Sequence, residues 1–289
     1  MKPVAFEYHA PDSVPGALEL LAGTSGQTMP LAGGYSLVPL LSRRLHRPAA
    51  VVDLNRVPDL AGIRVTDDRV QLGAMTRLCT LETSPALRDA LPILPETAGY
   101  VAHQQIRWRS TLGGSLCHAD PAAELPALAV ALGARFQLRS ADGARTVAAA
   151  DFYRGAHGTA RRPDELLTEV EFPRHRALRF RFEEVSRRGG AGLPLVAACV
   201  GLALDDEGTV TGARIAAAGV ADRPLRLAAA EQALTGLRAG GPLTGTLDAA
   251  ADAASPAEDV HGDAAYRRAL LRAVIRRAVA HLTSERTPR

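Results

Sequence analysis

The stretch Leu31-Ala32-Gly33-Gly34-Tyr35-Ser36-Leu37 sets two adjacent glycines after a short apolar step, and Thr111-Leu112-Gly113-Gly114-Ser115 repeats the form much later in the chain. A glycine pair lets backbone N–H groups approach an anion with no side chain in the way, and a neighbouring hydroxyl adds a donor. A diphosphate suits such a loop, and two loops could hold one dinucleotide between them. Each loop also reads as a simple turn, and for either one alone both readings stay open. Neither contains G-x-G-x-x-G, and G-x-x-x-x-G-K-S/T is absent from the chain. The Rossmann and P-loop folds therefore lose their main support, and a different nucleotide fold is required.

Outward from the first loop the chain reads as a small α/β unit. Ser13 caps a helix through Gly16–Leu21, with Pro15 tolerated in its first turn and Gly23 as its stop. An apolar and then Arg-rich stretch from Leu37 to Arg47 leads to the compact strand Val51-Val52-Asp53-Leu54. Ile63-Arg64-Val65 and Val70-Gln71-Leu72, flanking Asp67-Asp68, form a hairpin, after which helices run to about His103. The second glycine loop precedes a helical stretch from Ala122 to Leu132, and strands alternate with turns from Ala134 to Phe172, closed by Pro173. Beyond it, Leu178–Phe182 alternates, as does Val210–Ala217 after the turn Asp205-Asp206-Glu207-Gly208, so a smaller sheet follows. The last helix, Asp263 to about Leu282, gathers Leu270, Leu271, Val274, Ile275, Ala278 and Val279 on one face. No Gly/Ser-rich linker separates the halves, so the boundary near residue 176 is expected to be a packed junction.

At 289 residues the chain is long enough for about two domains at roughly 150 residues each. Hydrophobic residues make up 47% and charged residues 22%, the balance of a folded globular protein rather than a disordered or rod-like one. Lys+Arg 34 against Asp+Glu 31 leaves +3, with the signs interspersed and no basic block, which argues against nucleic acid as a partner. Cys79, Cys117 and Cys199 are far apart, form no C-x-x-C and are one short of the four that an ordinary iron–sulfur cluster needs. They suit the reducing cytoplasm. Glu7 and Pro11 interrupt the N-terminus where a signal peptide would be apolar, and no run reaches the ~18 apolar residues of a membrane span.

After the second loop come His118, Asp120 and Glu124, whose carboxylates could accept hydrogen bonds from ribityl or ribose hydroxyls. Asp120, just before Pro121, also reads as a helix cap, and the two roles are compatible. No His₂-carboxylate spacing supports a metal and no G-x-S-x-G elbow supports a serine nucleophile. Arg187-Arg188-Gly189-Gly190 reads as a solvated rim or a phosphate contact.

Several ordered motifs accompany the two loops: Val52-Asp53-Leu54-Asn55, Leu72-Gly73-Ala74-Met75-Thr76, Gln105-Ile106-Arg107, His118-Ala119-Asp120-Pro121-Ala122-Ala123-Glu124, Asp164-Glu165-Leu166-Leu167 before Pro173, and Tyr266-Arg267-Arg268. With them the chain resembles the FAD-binding medium subunits of molybdenum hydroxylases, the group that includes the flavin subunits of carbon monoxide dehydrogenase and xanthine dehydrogenase. The similarity spans nearly the whole chain, and the ordered set is far more specific than any one motif. It implies an α+β protein: a two-lobed PCMH (vanillyl-alcohol-oxidase-type) FAD-binding domain over 1–175, with lobes of about 1–57 and 58–175, then a smaller α+β domain over 176–289. The flavin would lie between the two.

By this resemblance Leu31, Ala32, Gly33, Gly34, Tyr35, Ser36, Leu37, Thr111, Gly113, Gly114 and Ser115 hold the diphosphate. Ile106 and Leu167 line the isoalloxazine or adenine pockets, and His118, Asp120 and Glu124 lie near the ribityl chain. Trp108 and Ser110 depart from the usual Asn and Gly before the second loop, and Gly190-Ala191-Gly192-Leu193 replaces the usual Gly-Asp-aromatic-Ala. The implied function is electron transfer. A large subunit oxidises substrate at molybdopterin, a small subunit carries 2Fe–2S clusters, and FAD on this chain collects the electrons for an external acceptor, in a cytoplasmic dimer of heterotrimers. The alternatives are an assembly homologue with impaired flavin binding and a stand-alone flavin oxidase.

Overall fold

In the computed structural model, which describes residues 2–23, 27–187 and 192–284, the chain opens on a small parallel sheet. Its elements are β1 (Glu7–His9), α1 (Val14–Ala22), β2 (Thr28–Leu31), α2 (Leu37–Ser42) and β3 (Ala50–Asp53), with strand order β1-β3-β2. Helix α1 starts where the sequence predicts, because Ser13 Oγ accepts the Gly16 N–H at 3.4 Å and Pro15 needs no donor partner in the first turn. Its buried face, Val14, Ala17, Leu18 and Leu21, packs with Val52 and Leu54 and also with Met75 and Leu166 of the next lobe. One apolar cluster thus seats the first lobe on the second.

The second lobe runs β4 (Ile63–Val65), β5 (Arg69–Gly73), α3 (Leu78–Thr83), α4 (Pro85–Ala90), α5 (Ile93–Tyr100), α6 (Gln104–Arg107), α7 (Leu112–His118), α8 (Glu124–Leu132), β6 (Arg135–Ser140), β7 (Gly143–Ala148), α9 (Ala149–Phe152) and β8 (Leu166–Pro173). The strands form an antiparallel sheet in the order β4-β5-β8-β6-β7. The predicted hairpin is present, with Ile63 opposite Leu72 and Val65 opposite Val70. Along β8, Val170 and Phe172 enter the core while Glu169 and Glu171 pair on the other face with Gln71 and Arg69, the alternation expected of a half-covered sheet.

The third layer contains β9 (Arg179–Ser186), β10 (Pro194–Leu204), β11 (Val210–Ala218), β12 (Leu225–Arg226), α10 (Ala228–Leu234), α11 (Thr244–Ala253) and α12 (Ala264–Ser284), its strands ordered β12-β11-β10-β9. One sheet face, including Val196, Ala198 and Val200, is covered by Leu271, Val274, Ile275 and Ala278 of α12. The other face, with Phe182, Ala197, Cys199, Ala216 and Ala218, joins the core of the second lobe. Covered on both sides, β10 is apolar almost without interruption.

Helix α8 is the element between these sheets, and all nine of its residues are buried. Segments that follow β8 secure both ends of the helix. Arg214 Nε donates to Ala131 O at 2.6 Å and His175 Nε2 to Leu132 O at 2.7 Å, satisfying carbonyls that a helix end leaves unpaired. Just ahead of the other end, Gly219 N–H donates to Pro121 O at 2.8 Å. The junction near residue 176 is therefore a continuous core. Leu128, with no exposed surface, sits mid-helix, and Leu128→Ala is expected to cost about 2–5 kcal/mol in urea unfolding. A loss below about 1 kcal/mol would show that the helix is not the shared core element.

Candidate functional site

The first diglycine loop connects β2 to α2. Gly34 has φ +86°, the left-handed region that glycine adopts without strain. Gly33 lies so close to the second lobe that a Cβ on it would stand 2.5 Å from Arg109 O and 2.8 Å from Ser110 Cα. Only a residue without a side chain permits this approach. Among the described residues, the amides of Gly33, Gly34, Tyr35 and Ser36 donate to no acceptor in the chain, whereas Val38 N–H, in the first turn of α2, bonds Gly34 O at 2.9 Å. Tyr35 O–H reaches Gln105 O at 3.4 Å, a further tie to α6. Leu31 ends β2 and Leu37 begins α2, so both belong to the frame of the loop.

The second diglycine segment is not a loop. Leu112–His118 is helix α7, and Thr111 is its N-cap, with Oγ1 accepting the Gly114 N–H at 3.1 Å. Gly113 N–H donates to Ala74 O at 2.7 Å, Leu112 N–H to Thr76 O at 3.0 Å and Ser115 N–H to Thr111 O at 3.1 Å. The expectation that both diglycines offer free amides is thus corrected: the second pair has spent its amides within the fold. Its glycines serve close packing instead, since a Cβ on Gly113 would lie 2.6 Å from Ala74 Cβ. A Cβ on Gly114 would be 3.5 Å from Ala32 Cβ, so the two segments converge in space as the sequence reading requires.

A polar clamp unnoticed in the sequence holds them together. Asn55 Nδ2 donates to Ala32 O at 3.0 Å, and Arg77 Nη2 donates to Asn55 Oδ1 at 2.6 Å. Arg77 Nη1 also donates to Arg109 O, and burial with the nearby Arg109 charge pushes the Arg77 guanidinium down from its ordinary pKa. The signal was adjacency: Asn55 closes the motif after β3, and Arg77 directly follows Gly73-Ala74-Met75-Thr76.

The remaining candidates divide. Ile106 is half-buried on α6 beside Arg107, whose guanidinium is fixed by Glu82 at 2.8 Å and by the carbonyls of Val101 and Ala102. His118 ends α7 and stacks on His157 at 4.7 Å between ring centroids; burial and that neighbour push its pKa down. Asp120 Oδ1 accepts the Ala122 N–H at 2.9 Å, so it makes the turn before α8, which begins at Glu124 rather than at the predicted Ala122. Glu124 is 4% exposed, and burial pushes its carboxyl up to about 7. Leu167, at 5% exposure, packs in the main core. Burial pushes the Cys117 thiol up to about 11, away from the thiolate form that nucleophilic chemistry uses. Arg187 lies 3.8 Å from Asp259, while Arg188, Gly189, Gly190 and Ala191 lie outside the described residues. Gly192 has open space around it and Leu193 is exposed.

Comparison with known proteins adds the following. Residues 4–175 match the family described as the FAD binding domain in molybdopterin dehydrogenase, and residues 180–282 match the CO dehydrogenase flavoprotein C-terminal domain. The chain is 39% identical to the 6-hydroxypseudooxynicotine dehydrogenase complex subunit alpha of Paenarthrobacter nicotinovorans, over 97% of this chain and 95% of that one. It is also 39% identical to the carbon monoxide dehydrogenase medium chain of Afipia carboxidovorans, over 96% and 97%. Among solved structures, quinoline 2-oxidoreductase from Pseudomonas putida 86 superposes with a TM-score of 0.93 at 35% identity, covering 99% of both chains.

The close approach at Gly33 has a direct consequence. Gly33→Ala forces the two segments apart, with an expected loss of about 1–3 kcal/mol in thermal or urea unfolding. An unchanged melting temperature would contradict the contact.

Proposed function

Because the chain belongs to the family of FAD-binding subunits of molybdopterin dehydrogenases, we propose that the unengaged amides of Gly33, Gly34, Tyr35 and Ser36 receive the FAD diphosphate. The protein is an electron-transfer flavoprotein subunit of an oxidoreductase complex; FAD sits on this chain, molybdenum and iron–sulfur clusters sit on other subunits, and its relatives work with large and small partners. FAD supplies the ability to take electrons one at a time and release them as a pair.

The observation that carries the site assignment is the row of free backbone donors beside a wall of glycines. A diphosphate is the ligand class that row suits: it brings several acceptor oxygens and needs close approach to the main chain. In this reading Ala32, Gly113 and Gly114 form the wall, and Thr111 and Ser115 add hydroxyls. Ile106 contributes an apolar edge, and His118, Asp120 and Glu124 border the ribityl chain. The FAD domain covers 1–175, its lobes meeting near residues 57 and 58, and 176–289 forms the smaller domain. The chain is one medium subunit in a dimer of heterotrimers, and its three free cysteines suit the cytoplasm.

Gentle purification from cells that also express the large and small subunits tests the reading. The expected product is a yellow complex that releases one FAD per copy of this chain on acid denaturation. A colourless complex with both partners would overturn it in favour of an assembly role, and a yellow chain that turns over substrate without partners would overturn it in favour of a separate oxidase.

A further inference from the structure

The carbonyl of Ala32 and the N–H of Gly33 belong to one peptide group, and no peptide bond among the described residues is cis. A trans peptide is planar with its C=O and N–H pointing to opposite sides, so a bond that fixes the oxygen also aims the hydrogen. Asn55 Nδ2 donates to Ala32 O at 3.0 Å. With that oxygen held toward Asn55, the Gly33 N–H is turned away from it. This N–H is the first of the unengaged amides of the loop.

Asn55 is itself held on every side. Its backbone N–H donates to Asp53 Oδ1 at 2.9 Å, its Nδ2 is shared between Ala32 O and Asp53 Oδ1, and its Oδ1 accepts from Arg77 Nη2 at 2.6 Å. The acceptors face the amide nitrogen and the guanidinium faces the amide oxygen, so only one orientation of the side chain satisfies them all. Arg77 is half-buried, and the two oxygens it bonds, Asn55 Oδ1 and Arg109 O, are both uncharged. Among the described residues it forms no ion pair. Asp53, the carboxylate whose charge reaches it, is engaged instead by Tyr8 O–H at 2.6 Å and by Asn55.

The hydrogen bonds therefore run in one direction, from the Arg77 guanidinium through the Asn55 amide to the Ala32–Gly33 peptide, and each donor in such a chain is strengthened by the one behind it. We propose that Arg77 and Asn55 are positioning residues for the diphosphate, turning the Gly33 N–H toward the ligand and making it a stronger donor than an ordinary amide. This inference deepens the FAD reading and rests on it. Neither side chain has to touch the ligand. The positive charge of Arg77, unpaired within the protein, acts on the anion through two polarised amide groups.

The test compares variants of the full chain, freed of flavin, by calorimetric titration with FAD, ADP and riboflavin. Arg77→Gln removes the charge at the head of the chain of bonds. It is expected to weaken FAD and ADP by about 10–100-fold, the range of one charge-assisted hydrogen bond, and to leave riboflavin, which has no diphosphate, unchanged. Arg77→Lys keeps the charge without the planar fork and is expected to recover part of the loss. Should Arg77→Gln not fold, Asn55→Ala removes the middle link while leaving Arg77 on Arg109 O, and the same split between FAD and riboflavin is expected. Equal losses for all three ligands mark a clamp that serves folding alone and overturn the positioning role. Unchanged FAD affinity in either variant, or a lysine variant no better than the glutamine one, overturns it as well, and in each case the FAD reading stands. A wild-type chain that binds no FAD overturns the FAD reading itself.

Discussion

Gly33 touches the backbone of Arg109 and Ser110 at a distance no side chain tolerates, and the arrangement of the site follows from that contact. It brings a loop from the parallel-sheet lobe against a helix start from the antiparallel lobe. Asn55 and Arg77 then fix the approach with hydrogen bonds to Ala32 O and Arg109 O. The two segments divide the work. The second spends its amides on Ala74, Thr76 and Thr111 and becomes a rigid wall, and the first keeps its amides free. Rigid support on one side and unsatisfied donors on the other give a site whose donors are held in place before a ligand arrives.

The C-terminal domain contributes by gripping α8. Its sheet covers one side of the helix, Arg214 takes the Ala131 carbonyl while His175, just before the domain boundary, takes that of Leu132, and the Gly219 amide bonds Pro121 O. That grip fixes the turn containing Asp120 and brings Glu124 into the low-dielectric junction where Glu184 arrives from the opposite domain.

Much of this was readable from sequence where the determining forces are local. The Ser13 cap, the hairpin around Asp67-Asp68, the turn at Asp205–Gly208 and the apolar face of α12 depend on neighbours a few residues away, and each appears at its expected place. Helix α7 was not readable, because two glycines and a short length disfavour a helix and a tertiary bond to Ala74 decides the matter. The Asn55–Arg77 clamp was hidden for a similar reason: it links segments that only the completed fold brings together. Leu167 is buried because the regular alternation of β8 is interrupted by a register shift against β6 between Gln137 and Leu138, which neighbouring residues do not signal.

The central claim is that free amides of the first loop bind a diphosphate, and the contribution of that group alone can be isolated. Calorimetric titration of the flavin-free chain with FAD and with riboflavin, which lacks the diphosphate and adenosine, compares them directly, and ADP supplies the complementary fragment. The account predicts that FAD binds far more tightly than riboflavin and that ADP competes with it. Equal affinity for FAD and riboflavin, with no competition from ADP, would contradict it.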